Sequence, residues 1–132
     1  MRVLIDTDVL LDVALKREPF VSASQQVLDW AQSEPHQAAV AWHSLSDIFY
    51  LTGSSSRDFI KDLIQFVEVA PAGSKEAKQA VGFPMADLED ALQAAAALAF
   101  DALFVVTRNS RDYRGSLVPA ISPVRFIKEL GK

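Results

Sequence analysis

Asp6-Thr7-Asp8 closes a short apolar run, Val3-Leu4-Ile5, and further acids recur at Asp47, Asp87, Glu89, Asp90 and Asp112. Carboxylates gathered in one pocket repel one another and resist ionisation unless a cation holds them. The cation that suits oxygen donors is Mg²⁺ or Mn²⁺, bound by one or two carboxylates, retained waters and the phosphate oxygens of a substrate. Metal activation of water, with stabilisation of the leaving oxygen, hydrolyses phosphodiesters. The alternative for a single acid is structural, because a carboxylate near a helix N-terminus gains about 0.3–1 kcal/mol from the helix dipole without any function. That alternative is the stronger one for Asp8, Asp87 or Glu89 taken alone and evenly balanced for Asp47. Asp6 resists it, since it directly follows a buried strand where an unpaired charge is costly. Asp90 resists it too, lying beside the packed face marked by Leu88, Ala91, Leu92 and Ala94.

Bringing these acids together requires strands and helices in alternation. Val3-Leu4-Ile5 reads as a strand, followed by Val9, Leu10, Val13 and Ala14 at helical spacing up to a break before Pro19. Residues 20–32 form a second amphipathic helix that stops at Glu34-Pro35. Ala38 to Ala41 is a strand; Trp42-His43-Ser44 is the turn into a helix carrying Leu45, Ile48 and Phe49 as far as Gly53. Ser54 to Ser56 supply capping hydroxyls for a helix with Phe59, Leu63 and Phe66 on its face, and Val67 to Ala70 is the next strand. A short helix over Lys75–Val81 precedes a long alanine-rich one over Ala86–Phe100. Ala102 to Val106 is apolar throughout, as expected of a strand covered on both faces. Val118–Ile121 is a weaker strand, and Pro123 begins the last helix.

This alternation predicts a three-layer α/β/α sandwich around a mostly parallel sheet of about five strands, one domain over residues 1–132. Helix N-termini then lie beside the strands' carboxyl ends, the edge where ligands bind. Asp6, Asp8, Asp47, the Asp87–Asp90 group, and Asn109 and Asp112 beyond Thr107 all fall on that edge. Asp6, Asp90 and Asp112 are expected to face a common cavity.

With 132 residues, half of them apolar and 23% charged, the composition suits a single globular core. Thirteen basic against 17 acidic residues leave a net charge of −4, which argues against a broad DNA-coating surface but not against local basic patches. The absence of cysteine excludes disulfides, thiolate zinc sites and a cysteine nucleophile, and a cytoplasmic address is expected. Two histidines, His36 and His43, are too few for a multi-histidine metal site. The longest apolar stretch, Ala94–Phe100, falls far short of the roughly 18–20 residues of a membrane span. Asp6, Asp8 and Asp12 interrupt what would be the apolar region of a secretory signal. His43, near a turn, is assigned to ordinary hydrogen-bonded structure rather than to catalysis. Trp30, Trp42, Phe49, Tyr50 and Phe66 are assigned mainly to the core, with an RNA groove or a dimer face as the alternative.

VLIDTDVLLD at the start, ADLED running into ALQAAAALAFDALFVVTRNSRDY, and VPAISPVRFI at the end resemble in order and spacing the motifs of PIN domains. These are metal-dependent ribonucleases that include many prokaryotic toxins of toxin-antitoxin pairs, and the likeness spans essentially the whole chain. It implies cleavage of RNA with Mg²⁺ or Mn²⁺ by a catalytic set of Asp6, Asp47, Asp90 and Asp112, the metal being held by Asp6, Asp90, Asp112 and Asn109. Thr7, Asp8, Asp87 and Thr107 would support that set; for Thr107 a local turn bond is the equal alternative. Asp47 stands where the family usually has glutamate, one methylene longer, and Asn109 removes a charge from its polar pair. Both departures weaken metal affinity, while Asp8 in place of the more frequent asparagine restores a charge. Arg108, Arg111 and Arg114 recur every three residues beside the site and are candidates for RNA phosphates, with solvated surface charge as the alternative. A homodimer and an antitoxin that blocks the acidic pocket are implied as partners. Two rivals stand beside this reading: a PIN fold that has lost activity and serves as a binding module, and a haloacid-dehalogenase-like phosphatase with Asp6 as nucleophile. Chain order disfavours the phosphatase, because Thr107 follows Asp87 and Asp90 instead of preceding them.

Overall fold

β1 (Val3–Ile5), β2 (Ala38–Val40), β3 (Glu68–Val69), β4 (Phe104–Val106) and β5 (Ala120–Ile121) form one sheet in the order β3-β2-β1-β4-β5. The structure, a computed structural model, describes residues 1–131. Every strand pairing is parallel, so the sheet is wholly rather than mostly parallel. Among the described residues seven α-helices connect and flank the strands: α1 (Thr7–Ala14), α2 (Val21–Ser33), α3 (Trp42–Thr52), α4 (Ser56–Leu63), α5 (Ser74–Gly82), α6 (Leu88–Ala99) and α7 (Pro123–Glu129).

Strand residues alternate between two cores, as the period of two requires. Val3, Ile5, Ala38, Val40 and Val106 pack with Val9, Leu10, Val27, Ile48 and Phe126 on one face. Leu4, Ala39 and Val105 point to the other face and meet Ala96, Ala97 and Phe100 of α6. Alanine on both sides of that second contact lets α6 lie close against the sheet, with α5 packed outside it through Ala80, Ala91 and Ala95. The chain departs from β1 toward β2 and β3 on one side, and β4 and β5 fill the other. The crevice at this change of direction lies at the carboxyl ends of β1 and β4, the favoured ligand position in open parallel sheets. Ile5 and Val106 are paired in register there, so Asp6 and Thr107 leave the sheet side by side.

Several boundaries differ from the sequence expectation. α3 begins at Trp42, directly after Ala41, so Trp42-His43-Ser44 is the first turn of the helix and not a loop leading to it. Asp87 is the N-cap of α6, outside the helix, and accepts a hydrogen bond from the Asp90 backbone N–H. α4 has no side-chain cap: Gly53–Ser55 forms a single 3₁₀ turn running straight into it, which leaves Ser55 nothing to cap. The aromatic residues divide. Trp30 packs edge-on against Phe126 and Phe66 lies on the core, but Trp42, Phe49 and Tyr50 are exposed, because α3 turns that face outward.

Candidate active site

Asp6 is 6% exposed and its carboxylate is fixed by three donors. Oδ1 accepts from the Thr7 backbone N–H at 2.7 Å, which makes Asp6 the N-cap of α1. Oδ2 accepts the Thr107 hydroxyl at 2.8 Å and the Tyr113 hydroxyl at 2.9 Å. Burial pushes the Asp6 pKa up, and these three bonds pull it back. A carboxylate oxygen has two lone pairs, so Oδ2 is saturated and Oδ1 keeps one site open.

Asp8, in the first turn of α1, is held by the segment after β4. Its Oδ2 accepts from the Arg108 backbone N–H at 3.1 Å and from Asn109 Nδ2 at 3.2 Å, while its Oδ1 is buried with no donor beside it. Burial first, and the neighbouring Asp6 charge second, push its pKa up to about 7.

Asp6, Thr7, Asp8, Asp47, Asp87, Glu89, Asp90 and Asn109 line one cleft of about 320 Å³. The sheet edge, α1, α3 and α6 thus deliver their acids to a single hollow. Asp90 is pushed up to about 6, by burial first and then by the charges of Asp6, Asp87 and Asp112. Asp112 does not line this cleft. It lines an adjoining depression of about 340 Å³ that shares Asp87 and Asp90 with the first, because residues Ser110–Tyr113 curl into a 3₁₀ turn that directs Tyr113 inward and leaves Asp112 exposed. Its charge reaches the site through Asp90.

Arg111 and Arg114 are exposed and line the same depression. Arg108 differs from the expectation of a phosphate-facing side chain. Its guanidinium turns inward and makes a two-pronged ion pair with the fully buried Asp12, Nε to Oδ2 at 2.7 Å and Nη2 to Oδ1 at 3.1 Å. Arg17, passed over in the sequence, lines the acidic cleft instead.

His43 and Glu89, which the sequence assigns more readily to structure, also stand beside the acids, and Gln93 beneath them has no assignment from sequence. Because α3 starts at Trp42, His43 and Asp47 are four residues apart on one helical face, and ligand atoms of His43, Asp47 and Glu89 lie within 4.8 Å of one another. Asp47 Oδ2 is buried with no donor, and the Asp47 carboxylate beside Glu89 is the main cause of the Glu89 pKa rising to about 7, ahead of burial. Burial lowers the His43 pKa, opposed by the charges of Asp47 and Asp6. Beneath the acids, Gln93 Nε2 donates to Thr7 Oγ1 at 2.8 Å and Ser44 Oγ at 2.9 Å, and those hydroxyls pair with each other at 2.7 Å. This network ties α1, α3 and α6 together under the cleft. Its sequence signal is a glutamine one turn after Asp90 inside an otherwise alanine-rich face.

The donor set suits a hard divalent cation. It consists of carboxylate, amide and hydroxyl oxygens with one imidazole near its rim, and the acids are raised in pKa by burial and mutual repulsion. The buried and donorless Asp8 Oδ1 and Asp47 Oδ2 are the sort of oxygen that a cation satisfies.

Comparison with known proteins identifies the family and the fold. The family description "PIN domain" matches residues 2–111. Two solved structures share the fold. VapBC2 from Rickettsia felis, bound to a DNA fragment from its promoter, superimposes with a TM-score of 0.72 at 15% identity, covering 92% of this chain and 98% of that one. A toxin-antitoxin complex from Klebsiella pneumoniae gives 0.70 at 19% identity, covering 92% and 97%. No curated protein matches.

Proposed function

The chain belongs to the PIN domain family, and from that premise we propose that it is a divalent-metal-dependent endoribonuclease acting as the toxin of a toxin-antitoxin pair. The observation that carries this reading is the convergence of Asp6, Asp47, Asp90 and Asn109 on one cleft at the carboxyl ends of β1 and β4. Asp6 Oδ1, the Asp90 carboxylate and the Asn109 carbonyl oxygen would hold Mg²⁺ or Mn²⁺, with Asp47 and Asp112 supporting from either side. When bound, the ion supplies Lewis acidity and an activated water for in-line attack on phosphorus.

The remaining chemistry belongs to the chain itself. Thr107 and Tyr113 prevent the Asp6 carboxylate from rotating, and Thr7 fixes its other oxygen. The Asp87 cap on the Asp90 N–H orders the first turn of α6 and so the approach of Asp90. Arg17 in the cleft, and Arg111 and Arg114 beside it, offer charge to RNA phosphates in a protein that is otherwise acidic.

A partner is part of the proposal. The exposed α3 side chains Trp42, at 68%, and Tyr50, at 82%, with the Phe49 ring edge-on to Tyr50, offer an apolar surface for an antitoxin or a second copy of the chain. The toxin-antitoxin assemblies among the structural relatives support the antitoxin. Among the described residues no helix is long and apolar enough to cross a membrane.

The test is cleavage of structured RNA with Mn²⁺, with and without EDTA, by wild type, Asp6→Asn and Asp90→Asn. Cleavage by wild type alone, abolished by EDTA, supports the reading. Intact RNA together with retained Mn²⁺ binding would favour a binding module, and equal cleavage by all three proteins would reject the site.

A further inference from the structure

We propose that Arg108 is a positioning residue for the acidic site, and that its ion pair with Asp12 clamps the segment after β4 onto α1. This rests on the metal-site reading above. Arg108 grips α1 at two levels: its backbone N–H bonds Asp8 Oδ2 at 3.1 Å, and its guanidinium bonds both oxygens of Asp12 one helical turn further on. Asp12 is 0% exposed and also accepts the Ser24 hydroxyl at 3.0 Å, so the anchor is tied to α2 as well. The guanidinium carbon lies 3.9 Å from the centre of the Phe20 ring, which closes the remaining side of the pair.

The consequence lies on either side of Arg108. Thr107 reaches Asp6, and Asn109 reaches Asp8 through Nδ2 while its backbone N–H bonds Thr107 Oγ1 at 3.0 Å. Three consecutive residues therefore set the two leading carboxylates, and the only ion pair among these contacts is the one that Arg108 makes. A planar, permanently charged fork buried against a carboxylate holds one orientation, where a phosphate-binding arginine would need to stay free.

The variant that isolates the clamp is Asp12→Asn combined with Arg108→Met. It removes both charges without stranding either one, and the amide oxygen introduced in place of the carboxylate still accepts from the Ser24 hydroxyl. Amide hydrogen exchange is measured on the metal-free protein, with protected amides of Leu4 and Ile5 confirming that the fold is intact. The amides at positions 108 and 109, corrected for intrinsic rates, are expected to exchange about tenfold faster than in wild type. Mn²⁺ titration is expected to show affinity about tenfold weaker, as loss of outer-sphere support generally does. Arg108→Lys with Asp12 intact should recover part of both. A folded double variant with amides 108 and 109 still protected overturns the clamp. So does full Mn²⁺ affinity in that variant. If wild type itself binds no Mn²⁺, the metal-site reading fails, while the exchange measurement, which needs no metal, still decides whether the clamp exists.

Discussion

Thr107 donates its hydroxyl to Asp6 Oδ2 at 2.8 Å, joining residues 101 apart in the chain. The contact exists because β4 lies parallel and in register beside β1, so the residue after one strand meets the residue after the other. Tyr113 reaches the same oxygen at 2.9 Å from the following 3₁₀ turn. Asp6 is consequently oriented before any cation arrives, its donors opposing the burial that raises its pKa.

Tyr113→Phe removes one of these donors and leaves the buried ring in place. Hydrogen bonds to charged groups contribute about 1.5–3 kcal/mol, and outer-sphere partners change metal affinity by about 10–100-fold. Mn²⁺ affinity, followed by calorimetry, should fall about tenfold with circular dichroism unchanged. Undiminished affinity would show that the hydroxyl plays no part in ordering Asp6.

The pKa shifts imply a pH dependence of stability in the metal-free protein. Asp8 and Glu89 are pushed up to about 7 and Asp90 to about 6, and Asp6 is raised as well. Between those values and the unfolded carboxylate range near 4, the native state binds more protons than the unfolded state, so stability falls as pH rises through this window. His43, lowered by burial, opposes the trend as pH drops below about 6.5, one imidazole against four carboxyls. In EDTA the Tm at pH 5.5 should exceed that at pH 8 by on the order of 5 °C, and Mn²⁺ at pH 8 should recover it. A Tm that rises from pH 5.5 to pH 8 without metal would contradict the shifts.

Gly115 passes so close to the residues before α6 that a Cβ there would overlap the Pro84 carbonyl. Gly115→Ala must therefore push the 3₁₀ turn bearing Asp112 and Tyr113 away from α6. The expected cost is about 1–3 kcal/mol in denaturant unfolding, as for other overpacked contacts. An unchanged midpoint would mean the turn relaxes freely.

Arg111→Gln and Arg114→Gln should each weaken RNA binding at low salt. If each contacts one phosphate, each should lower the slope of log K against log salt by about 0.7, the single-strand value. A slope equal to that of wild type would return both residues to solvated surface charge.

The alternation of strands and helices was legible because β1 and β4 are short apolar runs ended by polar residues, and the intervening helices carry apolar stripes. Asp6 and Asp90 were legible for the same reason, as acids bordering buried segments. The start of α3 was not: Trp42-His43-Ser44 has no apolar spacing to mark a first helical turn, and missing that turn hid the placing of His43 one turn before Asp47. The inward turn of Arg108 was hidden because it depends on Asp12, 96 residues away, and a triplet of arginines carries no sign of which one has a buried partner. Gln93 was hidden likewise, its partner Thr7 lying 86 residues away. Pairings of that kind are set by the sheet order and not by local pattern.

The central claim is that Asp6 and Asp90 share one divalent ion, and calorimetric titration of Mn²⁺ into wild type, Asp6→Asn and Asp90→Asn tests it most directly. Wild type should bind Mn²⁺ with release of protons near neutral pH, while both variants, folded as judged by circular dichroism, should lose that binding. Equal affinity in all three proteins would contradict the claim.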